Sequence, residues 1–317
     1  MKLSQVITQY VTFRQAMEKK FETPAYYLKA FCRMVGEHIN IEEVTSEQVN
    51  NFLGSSALIT RNWYGKYNAL FGFYKFAISR GSVLSSPLPT SKPQLTQSLV
   101  PYIYTQEELR RLLDATTSYR EPTAWDKLEP HTFRAILLLL YGAGLRRGEA
   151  LSLTLADVDL DAALLTIRNT KFNKSRFVPL GPQLNQAMLQ YLIKRKQTNL
   201  SQAGNALFFV GRTGQPISIG AIGKAFRRLC IYASIIRTDN MRFQPRLHDL
   251  RHTFAVHRLT EWYQEGRDVQ RLLPRLATYM GHINLSSTQV YLTMTPELLQ
   301  EANRRFEQYV FKEANHD

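Results

Sequence analysis

Two stretches near the C-terminal end hold residues fit for chemistry on phosphorus: LHDLRHTFAVHRL at 247–259 and YMGHINLSSTQVYL at 279–292. Between them they place Arg251 near His248, His252 and His257, then His282, with Tyr291 nine residues further on. Guanidinium and imidazole groups hold phosphate oxygens through charge-assisted hydrogen bonds. A phenol can attack phosphorus and form a covalent intermediate. Far upstream, GLRRGEALSL adds Arg146 and Glu149, and TKFNKSRFVPL adds Lys171, Lys174 and Arg176. Singly, each residue has a plainer role: Arg146 as half of an ion pair, Tyr291 as a half-buried core aromatic, Glu149 as a surface carboxylate.

Two other chemistries fit less well. Gly142, Gly144 and Gly148 could suggest a phosphate-cradling loop, which requires a strand before it and a helix opening at it. The preceding FRAILLLLY is rich in Leu and Ala and reads as a helix, so the glycines read as a helix stop and a tight reversal. His248 and His252 have the i, i+4 spacing of zinc ligands, but Asp249 stands where the protease motif has its Glu. Arg251 beside a dication would be repelled as well. No metal and no cofactor is expected.

The chain has 317 residues, enough for two hydrophobic cores. It carries 40 Lys and Arg against 26 Asp and Glu, a formal net charge of +14. Such a field gathers polyanions and releases their counterions, which points to nucleic acid before an anionic membrane surface. Cys32 and Cys230 are too few for a disulfide framework or a thiolate metal site. The apolar run AILLLLY at 135–141 is too short to span a bilayer. MKLSQVITQY lacks the apolar segment and cleavage pattern of a signal peptide, so a cytoplasmic, nucleoid-associated protein is expected.

The residues above need elements to position them. Residues 1–84 read as four helices: Val6, Tyr10, Phe13 and Met17 share a face, and Thr23-Pro24 reads as a cap with a first-turn Pro. Tyr27, Leu28, Phe31, Met34 and Val35 continue the helical period. Thr45 with Gln48 forms a capping box. A helix from Thr60 to Arg80 turns Tyr64, Tyr67, Leu70, Phe71 and Tyr74 inward and stops at Gly81. Lys66, Lys75 and Arg80 are its candidate phosphate contacts, although exposed cations are commonly a solvated face. Pro87, Pro89, Pro93 and Pro101 lie among Ser and Thr, which makes 85–101 a semi-extended linker. From 102 to 317, helices are expected from Thr105-Glu108, at 132–142, 183–197 and 218–234. A β-hairpin pairs 164–168 with 176–180 around the polar turn NTKFNKS. The fold class is therefore mainly α with a small β-sheet.

Together, GLRRGEALSL, TKFNKSRFVPL, HDLRHTFA and GHINLSSTQVYL resemble, in order and spacing, the motifs of the tyrosine recombinase (phage integrase) family. The resemblance covers 103–300, and the preceding helices and linker resemble the family's SAM-like core-binding domain. It implies that Arg146 and Arg251 grip the scissile phosphate and that Tyr291 attacks it, forming a 3′-phosphotyrosyl link. It assigns His248 and His282 to phosphate contact and proton handling, Lys171 to the general acid with Lys174 as the alternative, and Glu149 to bracing the active-site helix. His252 is placed behind this group as support, and His257 outside it. Lys174 and Arg176 join the candidate DNA contacts.

The family also implies duplex DNA sites as partner, two protomers per site, four per synapse, a Holliday junction, and a terminal helix from Thr295-Pro296 that docks on a neighbouring protomer. Leu273-Pro-Arg-Leu276 resembles transposon-associated members. The connection from Gly266 to Gly281 is longer than the family's usual one, with Pro274 in its middle, so the placement of its helix is open. The rival readings are a type IB topoisomerase relaxing supercoils and a catalytically silent DNA-binding regulator.

Overall fold

Apolar spacing sets the first helices. In α1 (Leu3–Met17) the buried residues Leu3, Val6, Ile7, Tyr10 and Val11 follow the three-to-four-residue repeat of an amphipathic helix. Phe13 and Met17, expected inward, lie on the exposed side. Met17 continues the buried stripe but stands at the last residue of the helix, and Phe13, at the edge of the stripe, meets Phe76 ring to ring at 5.4 Å. The second helix, α2 (Glu22–Val35), begins ahead of Thr23, so Phe21 and not Thr23 is its N-cap. Leu28 and Phe31 are buried in it, whereas Met34 is exposed.

The capping box of Thr45 and Gln48 opens α3 (Ser46–Leu53), with bonds of 2.9 and 3.2 Å. Thr60 caps α4 (Arg61–Ser79) by accepting from the Trp63 amide at 3.2 Å. Gly81, at φ +69°, ends it in the left-handed region that glycine adopts without strain. The buried face of α4 is Trp63, Tyr67, Leu70, Phe73, Tyr74 and Ala77. Phe71 points outward.

This is a computed structural model, and it describes residues 1–17, 21–54, 59–93, 100–118, 128–168, 175–198, 200–241, 243–293, 299–301 and 303–304. The chain forms two compact units, Met1–Leu99 and Val100–Asp317. Lys171, Lys174 and most of the terminal helix expected from Thr295 lie outside the described residues.

In the second unit a capping box of Thr105 and Glu108 opens α5 (Gln106–Ser118), at 2.9 and 3.1 Å. The central helix α6 (Pro130–Gly142) buries Phe133, Ile136, Leu137, Leu139 and Leu140. The short α7 (Arg147–Leu151) follows one turn later. Strands β1 (Val158–Asp159), β2 (Leu164–Ile167) and β3 (Arg176–Pro179) form an antiparallel sheet in that order. The hairpin was legible from its apolar runs, but β1 has only two residues and leaves no periodic signal.

Across the hairpin Leu165 faces Val178 and Ile167 faces Arg176. Since side chains alternate along a strand, Arg176 shares the face of buried Val178. Next come α8 (Pro182–Lys196), α9 (Ile219–Tyr232) and α10 (Asp249–Gln264). Then α11 (Val269–Met280) and α12 (Ser286–Gln289) lead into a 3-10 turn, Val290–Thr293. Both α5 and α8 pack on α6, and so does α10, which also meets α11 and the 3-10 turn.

The long connection before His282 is helical from Val269 to Met280. Asp268 caps α11 by accepting from the Arg271 amide at 3.1 Å, and Pro274 is accommodated inside it. Proline removes one helical donor there, and the burial of Val269, Leu273, Leu276 and Met280 offsets that loss. Among the described residues no helix is long and apolar enough to cross a membrane.

Candidate active site

Two left-handed glycine turns build the floor of the site. After α6 the chain reverses at Gly144, φ +57°, where an added Cβ would lie 2.3 Å from the Phe254 ring. That reversal aims the Gly144 carbonyl at Arg251, whose Nη1 donates to it at 2.5 Å. At the other side α11 ends on Gly281, φ +70°, whose carbonyl accepts from Arg146 Nη2 at 2.7 Å. The Met280 carbonyl serves both arginines, accepting from Arg251 Nη2 at 2.7 Å and Arg146 Nη1 at 3.4 Å. The last carbonyls of a helix lack intrahelical donors and carry its negative end, so they suit guanidinium groups.

Arg251 is 3% exposed, in the first turn of α10. Burial, then the neighbouring Arg146 charge, lowers its pKa to about 10, which still leaves it a cation at neutral pH. Asp249, two residues before, is buried and holds Arg246 by its amide at 2.9 Å and by Nη2 at 2.6 Å. The residue weighed against the zinc-protease Glu therefore fastens the chain where it turns into α10. Thr253 ties α10 to the start of the unit, with Tyr104 N donating to its Oγ1 at 3.1 Å.

Glu149 is the anionic counterpart. It accepts from the Arg146 amide at 2.9 Å and from Arg146 Nη1 at 2.8 Å. It also accepts from both terminal nitrogens of Arg176, at 3.0 and 2.9 Å. Burial pushes its pKa up, but the hydrogen bonds and charge of Arg176 and the bonds from Arg146 outweigh that and bring it to about 2. Arg176 Nε donates in turn to the Tyr279 carbonyl at 2.9 Å.

Expected among the surface cations, Arg176 has a side chain only 11% exposed and spent on Glu149 and α11. The strand alternation noted above is the physical reason, and it could have been read from VPL following Arg-Phe. Gly281 is part of the same fit, because a Cβ there would sit 2.8 Å from the Arg176 guanidinium.

Tyr291 is 2% exposed within the 3-10 turn. Burial raises its pKa, while the charges of Arg251 and Arg146 and a hydrogen bond with Arg251 pull the other way. Its hydroxyl lies 3.2 Å from His252 Nδ1. His282 stacks along the phenol ring at 6.1 Å, with its own Nδ1 fixed by Thr288 Oγ1 at 2.7 Å. Thr288 is fully buried, and nothing in NLSSTQVYL marked it beforehand. His248 is the N-cap residue of α10; it is solvent-exposed, and its ring stands edge to face with His252 at 5.0 Å. Burial first, then nearby arginine charge, lowers the pKa of His282 to about 4. In His252 burial also leads the fall to about 4, against the pull of Asp249.

Arg146, Arg251, His282 and Tyr291 thus meet at one place, with Glu149 behind the first arginine and His248 beside His252. His252, expected in support, touches the phenol directly. His257 lies apart, 3.0 Å from the Tyr141 hydroxyl. In the first unit Lys66 donates to the Phe52 carbonyl at 2.6 Å, whereas Lys75 and Arg80 are exposed. Among the described residues, no three His, Cys, Asp or Glu side chains gather closely enough to hold a metal ion. Arg146 and Arg176 share one carboxylate and Arg251 stands on neighbouring carbonyls, which leaves excess positive charge beside a buried phenol, an arrangement suited to an oxyanion such as phosphate.

The chain is similar to known proteins over most of its length. Residues 103–297 match the phage integrase family model. A putative integrase/recombinase of Sinorhizobium fredii (strain NBRC 101917 / NGR234) is 40% identical over 242 residues, 76% of each chain. The tyrosine recombinase XerC of Bacillus subtilis (strain 168) is 30% identical over 291 residues, 90% of this chain and 88% of that one. The fold is similar to the Tn1549 transposon integrase in complex with a circular intermediate DNA. That likeness has a TM-score of 0.69 at 16% identity and covers 97% of this chain and 99% of the other.

Proposed function

The chain belongs to the phage integrase family, the tyrosine recombinases, and from that premise we propose that it is a site-specific DNA recombinase cutting and rejoining duplex DNA through Tyr291. The observation that carries the reading is the buried Tyr291 phenol set against Arg251, with Arg146 anchored on the same α11 carbonyl. An arginine has five N–H donors, and the carbonyl bonds of Arg251 to Gly144 and Met280 take two of them. Others face the non-bridging oxygens of the scissile phosphate, and those bonds strengthen as charge gathers in the pentacoordinate transition state. The phenol oxygen attacks in line, joins the 3′ phosphate and releases a 5′ hydroxyl. Lys171 is the general acid of this reading, with Lys174 the alternative, and His248 and His282 attend the phosphate.

The covalent link conserves the energy of the broken bond, so rejoining to another strand needs no nucleotide hydrolysis. Residues 1–84 act as the core-binding domain, 85–101 as the linker and 102–317 as the catalytic domain. Two protomers occupy each site, four form the synapse, and exchange runs through a Holliday junction. The Leu273–Leu276 run supports a mobile-element setting, and such a protein works on DNA in the cytoplasm. The test is Tyr291→Phe on nicked duplexes that trap the cleaved strand. Wild-type protein should form a covalent DNA adduct and the variant none at equal DNA occupancy. An adduct from the variant would remove Tyr291 from the nucleophile's role.

A further inference from the structure

We propose that His252 is the proton partner of the nucleophile: its Nδ1 takes the Tyr291 phenolic proton as the oxygen attacks phosphorus and returns it when the strand is rejoined. This rests on the recombinase reading and assigns a step that the two arginines cannot perform. Arginine is a donor only, so the hydrogen bond between Arg251 and the phenol uses the phenol oxygen as acceptor. The hydroxyl hydrogen then points elsewhere, and His252 Nδ1 stands 3.2 Å from that oxygen. The unprotonated Nδ1 is the tautomer this bond requires.

The other histidines are placed differently. His282 lies along the face of the phenol ring and its Nδ1 is engaged by Thr288. His248 is in ring contact with His252 at 5.0 Å, one residue further from the phenol. His257 is bonded to Tyr141.

The balance of the step is simple. The Tyr291 O–H bond breaks and its proton moves to Nδ1 while the oxygen–phosphorus bond forms and the bond to the 5′ oxygen breaks. The leaving oxygen takes its proton from the separate general acid. In rejoining, the 5′ hydroxyl gives its proton back to the conjugate base of the general acid as its oxygen attacks phosphorus, the bond to the phenol oxygen breaks, and the imidazolium returns the proton to the phenol. Burial and the charges of Arg246 and Arg251 keep the imidazole neutral, hence an acceptor, when no phosphate is bound. A phosphate between the arginines offsets part of that charge and raises the imidazole's proton affinity when the proton must move.

The experiment uses the full chain and a nicked-duplex library with a randomised segment, scored as covalent adduct per bound DNA. His252→Ala should slow adduct formation on the order of 10²-fold, the scale of general-base catalysis. His252→Asn keeps an acceptor oxygen near the Nδ1 position but cannot take the proton, so it should stay slow. A library with sulfur in place of the 5′ bridging oxygen has a leaving group that needs no proton, and it should rescue neither variant. Wild-type rates in His252→Ala, full activity in His252→Asn, or rescue by sulfur would each overturn the assignment. If wild-type protein itself forms no adduct, the recombinase reading fails and the assignment with it. If it does and His252→Ala matches it, only the assignment falls.

Discussion

The two compact units solve the problem of burial in opposite ways. In the first, the core is apolar and aromatic, with Tyr10 on Phe21, Phe31 on Phe52 and Phe73 on Tyr74 edge to face and Trp63 stacked on Tyr67. In the second, an apolar core of comparable character sits beside buried Asp157, Arg195, Asp249 and Arg251. Among the described residues, every buried Asp, Arg or Thr side chain belongs to this second unit. Burying a charge is costly unless it is paired and hydrogen-bonded. Asp157 and Asp249 are paired with Arg168 and Arg246, and Arg195 and Arg251 are hydrogen-bonded to main-chain carbonyls. The core of the first unit is apolar and aromatic, whereas the second unit also buries charged side chains.

The sharpest way to break that comparison is to remove a buried cation. Arg251→Ala should cut covalent adduct formation by about 10²–10³-fold, the cost of one oxyanion donor. A variant as fast as wild type would mean that the buried charge serves folding only.

Next is Glu149→Gln, which strips the counter-charge from Arg146 and Arg176. A loss of about 3 kcal/mol in a denaturant titration is expected, the low end for breaking a buried pair, since Arg146 is partly exposed. Little change would show that the α11 carbonyls suffice.

Acid should then separate the two units. His252 and His282 titrate near 4 when folded, so only the unfolded chain gains protons as pH falls from about 6.5. Stability therefore drops between about 6.5 and 4. Glu149 is lowered instead, so its contribution is present above about 4.5 and lost towards about 2. Hydrogen exchange should show the second unit opening first on acidification. Parallel loss in both units would erase the contrast.

The smallest effect belongs to the first unit. The buried Tyr74 hydroxyl has no hydrogen-bond partner, so Tyr74→Phe should leave stability unchanged or raise it by up to about 1 kcal/mol. A clear loss on thermal melting would show that this core, too, depends on a polar contact.

Much of this was written in local order. Helix starts at Thr45, Thr60 and Thr105 were legible because a cap acts within four residues. Thr23 misled because the helix begins at Glu22 and places its cap two residues earlier, at Phe21, and Phe71 because a helix face is chosen by its neighbours. The motif order pointed to Arg146, Arg251, His282 and Tyr291, which the fold brings together, while Lys171 lies outside the described residues.

The residue types and their spacing thus determined the family, the fold class and the candidate nucleophile, since these depend on motifs a few residues long. Tertiary structure alone decided that Arg176 braces Glu149 and that Gly144, Met280 and Gly281 hold the arginines by their carbonyls. It alone also put His252 against the Tyr291 hydroxyl. Those contacts join residues 27 to 135 positions apart, and no local pattern encodes a distance that only chain folding can close.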